Sequence, residues 1–212
     1  MRKSEKVLIF LIIISFVLAF YFYPSMPENM ASHWNIEGQV DDYLPKSYAL
    51  FLFPFLLVFF YLLFNLFPRI DPLKENIEKF RKHFDNFIVL ISLFFFYLYS
   101  LTLFWNLGQR FNMTILLSPS FAVLFYFTGQ LLEKSKRNWF IGIRTPWTLS
   151  SDNVWAKTHN LGAKLFKAVG VLSLLGVFFS SWLFFLIVIS VLIITFYLVV
   201  YSYLEYQKEK RK

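Results

Sequence analysis

The chain has no cysteine, which excludes disulfides and thiolate metal sites outright. Charged residues are scarce, at 16% of 212, where a soluble domain carries about 25%. The sequence holds no phosphate-cradling glycine loop, no nucleophile elbow and no His pair at helical i, i+4 spacing. What it has instead is apolar: 58% hydrophobic residues, among them 29 Phe. That is more apolar surface than a soluble core of this size can take, so the composition implies an integral membrane protein.

Apolar runs cover about 7–23, 48–67, 86–106, 114–132, 165–180 and 182–204, each near the ~20 residues that cross a bilayer. The first run ends in Tyr and Pro rather than a small-residue cleavage site, which predicts a retained helix and not a signal peptide. The fifth is short and diluted by Gly170 and Gly176, and is expected to continue an upstream helix. The predicted fold is all-α, an integral membrane protein with six transmembrane helices and short amphipathic cytoplasmic helices. No ionisable residue lies in the middle of a predicted span; only Asn65, Gln130 and small hydroxyls are available there. Ion-coupled transporters keep ionisable groups at that depth.

Lys and Arg number three in the N-terminal tail, five after the second run, seven after the fourth and four in the C-terminal tail. The other loops hold only Lys46 and Arg110. The positive-inside rule reads this as both termini in the cytoplasm, N-in/C-in. It also accounts for the +8 net charge without nucleic acid. The expected organisation is a two-helix unit, 1–67, with an outside loop at 24–47. A four-helix unit, 68–212, follows, with a cytoplasmic loop at 133–164.

The outside loop is acidic and rich in turn residues, so it should be compact rather than helical. His33, Glu37, Asp41 and Asp42 could ligate a metal, but one His with scattered carboxylates is a poor ligand set. The reading favoured is that His33, Trp34 and Asn35 pin the loop by hydrogen bonds and Trp burial, with no metal and no cofactor. In the first cytoplasmic loop, Asp71-Pro72 reads as an N-cap and first helical residue. Leu73, Ile77, Phe80 and Phe84 then recur at helical spacing, predicting an amphipathic helix that lies on the membrane surface and runs into the third span.

The second cytoplasmic loop carries Trp139, Trp147 and Trp155 at eight-residue intervals, with a Gly142-Ile143-Arg144-Thr145-Pro146 turn. It is either an interfacial loop, since Trp prefers the headgroup zone, or a folded plug or docking surface. Ser150 or Ser151 can cap a helix with Asp152 in its first turn. Trp155 and His159 then share a face, and Gly162 lets another helix approach. His159 is expected to be a packed, hydrogen-bonded residue. The Arg144 guanidinium could pair a carboxylate or phosphate, or stack on Trp147.

The string from Lys136 to His159, with Asn138, Trp139, Gly142, Arg144, Thr145, Pro146, Trp147, Trp155 and His159, resembles the C-terminal signature of the Sdp immunity protein family. Pro27, His33-Trp34-Asn35, Gly38, Asp41, Tyr43 and Lys46 resemble the extracytoplasmic motif at the N-terminus of the same family, of DUF1648 type. The resemblance implies a multi-pass protein of the cell membrane that neutralises a secreted toxic peptide outside. It also implies a role in signal transduction, by holding a transcriptional repressor at the cytoplasmic face. Partner-binding residues would be the motif positions His33, Trp34, Asn35, Gly38 and Asp41, with those of the C-terminal string. A transporter or flippase for a small amphipathic molecule is the alternative. A membrane enzyme using His33 or His159 ranks last, for want of a triad or ligand set.

Overall fold

The computed structural model describes residues 1–211. Six long apolar helices span the molecule: α1 (Lys3–Phe22), α2 (Lys46–Ile70), α4 (Arg81–Asn106), α5 (Met113–Lys134), α7 (Asp152–Ser173) and α8 (Ser180–Lys210). Two short helices, α3 (Lys74–Lys79) and α6 (Pro146–Ser150), fill the connections on one side. The chain is a multi-pass membrane protein. Its lipid-facing surface is aromatic and aliphatic, with Phe10, Phe20, Leu62, Ile193 and Phe196 all well exposed.

Contacts between sequence-distant residues sort the connections into two ends. At one, Arg2 reaches Asp85, Asp71 accepts the Trp139 N–H, and Ser151 bonds Glu209. Both ends of the described residues lie here, with the basic loops, and this is called the basic end. At the other, residues 29–45 contact Asn106 and Asn112.

The expected compact loop at that end is a β-hairpin, β1 (Asn29–Trp34) paired antiparallel with β2 (Val40–Pro45). Asn35 makes the turn. Its carbonyl accepts the Gly38 N–H and its side-chain oxygen accepts from Glu37 and Gln39 N–H groups. Gly38 takes φ +77°, a left-handed conformation that favours glycine. Turn residues in the sequence had hidden two short strands.

Two apolar clusters hold the bundle. At the basic end, Leu8 packs with Ile77, Phe80, Phe84, Ile88, Leu131 and Ile141. At the hairpin end, Ala19, Met26, Met30, Ala49 and Leu50 pack with Tyr99 and Leu103. Each cluster draws on residues both before and after position 67.

The first cytoplasmic-loop expectation needs correction. Asp71 accepts the Leu73 N–H, as a turn rather than a cap, and α3 ends at Lys79. Phe80, with φ −122° and ψ 18°, breaks the chain before α4 begins. Ile77, Phe80 and Phe84 are buried between α1, α5 and the second loop. The apolar stripe is a core face, not a face laid on the membrane.

The fifth span gains its length as anticipated. The helix starts at Asp152, capped by Ser151, whose hydroxyl accepts the Val154 N–H. Its glycines are packing sites, not dilution. A Cβ on Gly170 would fall 2.7 Å from the Ala122 carbonyl oxygen, and one on Gly129 2.6 Å from that of Ala163. Backbones of α5 and α7 therefore touch, as small residues allow between membrane helices.

Candidate functional site

Two sites bear the motif residues, one at each end. At the hairpin end, His33 Nδ1 lies 2.6 Å from Asp41 Oδ1 across the two strands, and both side chains are exposed. A bulge displaces the register beside His33. The hairpin is docked by Asn106, which sequence reasoning passed over. Its side-chain oxygen accepts the Ala31 N–H at 2.8 Å and its amide donates to the Ala31 carbonyl at 3.1 Å. An amide at the end of an apolar span, free to mimic a third strand, was the signal that could have found it.

Trp34 meets Trp105 edge-on at 5.8 Å, and the Arg110 guanidinium lies 3.6 Å over the far partner's ring. The Trp34 indole Nε1 is buried yet has no hydrogen-bond partner within the described residues. Such an orphan donor costs about 1–3 kcal/mol unless something pairs it. Beneath lies a cavity of about 600 Å³. His33, Trp34, Asn35 and Asp41 form its polar rim, while Leu117 and Phe121 of α5 and Leu183 and Ile187 of α8 wall it. Gly38 is at the turn and does not line it. His33, Trp34, Asn35 and Asp41 are thus brought together around one space. No group of three His, Asp or Glu residues able to hold a metal exists among the described residues.

At the basic end the signature loop is internally bonded. Asn138 is fully buried, donating to the Lys136 and Ile141 carbonyls and accepting from the Phe140 and Ile141 N–H groups. Gly142 takes φ +115°, and a Cβ there would collide with the His159 ring. That ring accepts the Ile143 N–H on Nε2 at 2.9 Å, and Nδ1 sits 2.8 Å from the Trp155 carbonyl. These partners assign the proton to Nδ1 in a neutral imidazole. Trp155 stacks on His159 at 3.9 Å and its indole N–H donates to the Ser135 carbonyl. His159 is thus a packed residue, as the sequence led us to expect.

Thr145 and Thr148 cap α6 reciprocally, with Pro146 at its first position. Thr145 Oγ1 also lies 3.0 Å from Ser202 Oγ, fastening the turn to α8. Arg144 departs from expectation: among the described residues it has no carboxylate partner and does not stack on Trp147. It donates from Nη1 to the Trp139 carbonyl at 2.8 Å. Trp147 instead packs edge-on against Tyr203 at 5.1 Å. Most of the motif is scaffold, and among the side chains it leaves exposed are Trp139 and Arg144.

Residues 134–202 match the model of the SdpI/YfhL protein family, and residues 10–58 match that of a domain of unknown function, DUF1648. The chain is similar to a protein of Bacillus subtilis (strain 168) described as immunity protein SdpI, 22% identical over 207 residues, or 97% of each chain. No solved structure matches. The resemblance read from the two motifs is thereby borne out, in the same order along the chain.

Proposed function

We propose that this chain, like the relative it resembles, is a membrane immunity protein that protects its cell against a secreted toxic peptide. The observation that carries the proposal is the cavity beneath the hairpin. Its rim is made of motif residues, its walls are apolar side chains of α5 and α8, and an unpaired indole donor stands at its edge. An amphipathic peptide would place apolar side chains in the cavity and a backbone carbonyl on Trp34 Nε1. The hairpin carries Glu28, Glu37, Asp41 and Asp42 against Lys46, so a cationic peptide is the better match. This assignment places the hairpin outside and the basic end in the cytoplasm.

A second reading adds a cytoplasmic partner. Trp139, half exposed, and Arg144 are held on a rigid backbone at the basic end, which suits docking of a repressor protein. The transporter alternative has less support. Lys167, the charge deepest along α7, is tied to Glu133 at the end of α5 rather than facing a central path.

The test is genetic. Deleting the gene should sensitise the organism to its own secreted peptides, read as growth and membrane potential, and the wild-type gene should restore both. A Leu117→Trp variant, which fills the cavity, should reach the membrane without restoring protection. An unaffected deletion strain would refute the immunity reading. Full protection by Leu117→Trp would refute the cavity as the place of capture.

A further inference from the structure

Between α1, α4 and α5 a groove descends from the basic end, built of three adjoining cavities. The first, about 280 Å³, is walled by Lys82, His83, Asn86 and Gln130. Asn86 and Phe127 are shared with the second, about 450 Å³, which adds Lys3 at its mouth. Leu90 and Leu93 carry the groove into the third, about 540 Å³ and apolar. It is therefore cationic and polar at the top and greasy below.

The cations at the top are free to act. Neighbouring Arg2 and Arg81 are held by Asp85, at 3.6 and 3.0 Å. Lys3, Lys82, His83, Asn86 and Gln130 make no side-chain hydrogen bond or ion pair among the described residues. Lys82 and His83 also stand in the first turn of α4, where the helix dipole favours an anion. A basic face that served topology alone would need no apolar channel under it. From Lys82 to Leu93 the helix rises roughly 16 Å. That is close to the ~15 Å hydrocarbon depth of one leaflet.

We propose that this groove binds one anionic phospholipid, its phosphate between Lys3, Lys82 and the first turn of α4, and an acyl chain along Leu90 and Leu93. The bound lipid lies between α1 and α5, both of which line the groove. The groove's phosphate end lies at the opposite end of the bundle from the hairpin cavity, and the two share no lining residue.

The full chain would be taken from equimolar phosphatidylglycerol and phosphatidylcholine vesicles into native mass spectrometry. Wild-type protein should retain phosphatidylglycerol over phosphatidylcholine. Each of Lys3→Ala and Lys82→Ala should lower that preference about fivefold. Lys136→Ala, at an exposed lysine of the same end outside the groove, should leave it unchanged. Leu93→Trp should reduce retention of phosphatidylglycerol with every charge in place, and Lys82→Gln serves if an alanine variant does not fold. Equal retention of the two lipids would overturn the site. So would a loss in Lys136→Ala as large as in Lys82→Ala, because a diffuse basic surface would then suffice. Displacement of phosphatidylglycerol by millimolar inorganic phosphate would show a free-anion site instead, and would overturn the lipid assignment.

Discussion

The imidazole of His159 occupies the space that a side chain at Gly142 would need. The two residues are therefore one device. Glycine lets the loop turn back at φ +115°, and the ring then accepts the Ile143 N–H that the turn exposes. Neither residue has a catalytic geometry, and both are needed for the loop to close on α7.

Gly142→Ala should destabilise the protein through both strain and collision, by about 1–3 kcal/mol from the backbone conformation alone. His159→Ala should also destabilise the protein, since it leaves the partly buried Ile143 N–H unpaired and removes the stack on Trp155. Because both break the same contact, the double variant should lose less than the sum of the two. Thermal unfolding in detergent measures all three, and strict additivity would sink the coupling.

Asn106→Ala should free the hairpin while leaving the helices in place. Two hydrogen bonds to Ala31 are lost, at about 1 kcal/mol each. Amide exchange should rise across β1 and β2 and stay unchanged in α7. Exchange rising throughout the chain would mean that Asn106 holds the bundle rather than the hairpin.

At the helix contact, Gly129→Val and Gly170→Val should abolish accumulation of folded protein, because each new side chain meets carbonyl oxygen of the facing helix rather than a movable group. Gly108→Ala tests the other extreme: it has open space around it, and only its φ of +100° opposes the change. It should cost no more than about 1–2 kcal/mol. Fluorescence-detected gel filtration separates the two classes, and robust folding of Gly170→Val would mean α5 and α7 do not touch.

The proposed orientation can be read by single cysteines, since the chain has none. Asn29→Cys and Gln109→Cys, both at exposed positions of the hairpin end, should react with an impermeant maleimide in intact cells. Lys136→Cys and Gln207→Cys should react only after lysis. The opposite pattern would place the hairpin in the cytoplasm and remove an external peptide from consideration.

Arg144→Lys should insert and fold normally but fail in function if the planar guanidinium matters to a partner. The loop's fold does not require it, because Arg144 makes one hydrogen bond from an exposed position. Full protection by Arg144→Lys in the deletion strain would show that the guanidinium makes no essential contact to a partner.

By itself the sequence determined the membrane class, the six spans and the identity of both motif segments. Apolar run length, a serine cap at Ser150 or Ser151 ahead of Asp152, and the spacing of Trp155 and His159 are local properties, legible without a partner. The tertiary structure alone decided where the polar ends met. The stripe of Ile77, Phe80 and Phe84 looks the same whether it faces lipid or protein, and only the presence of Leu8 and Ile141 opposite made it core. Among the described residues neither a carboxylate nor Trp147 partners Arg144, and the loop closure by Gly142 and His159 brings it the Trp139 carbonyl. Gly129 and Gly170 look like weak points in helices until the facing backbone of each is known. The hairpin, the cavity and the groove all arise from contacts between residues distant in sequence, and such contacts leave no periodicity in the chain to read.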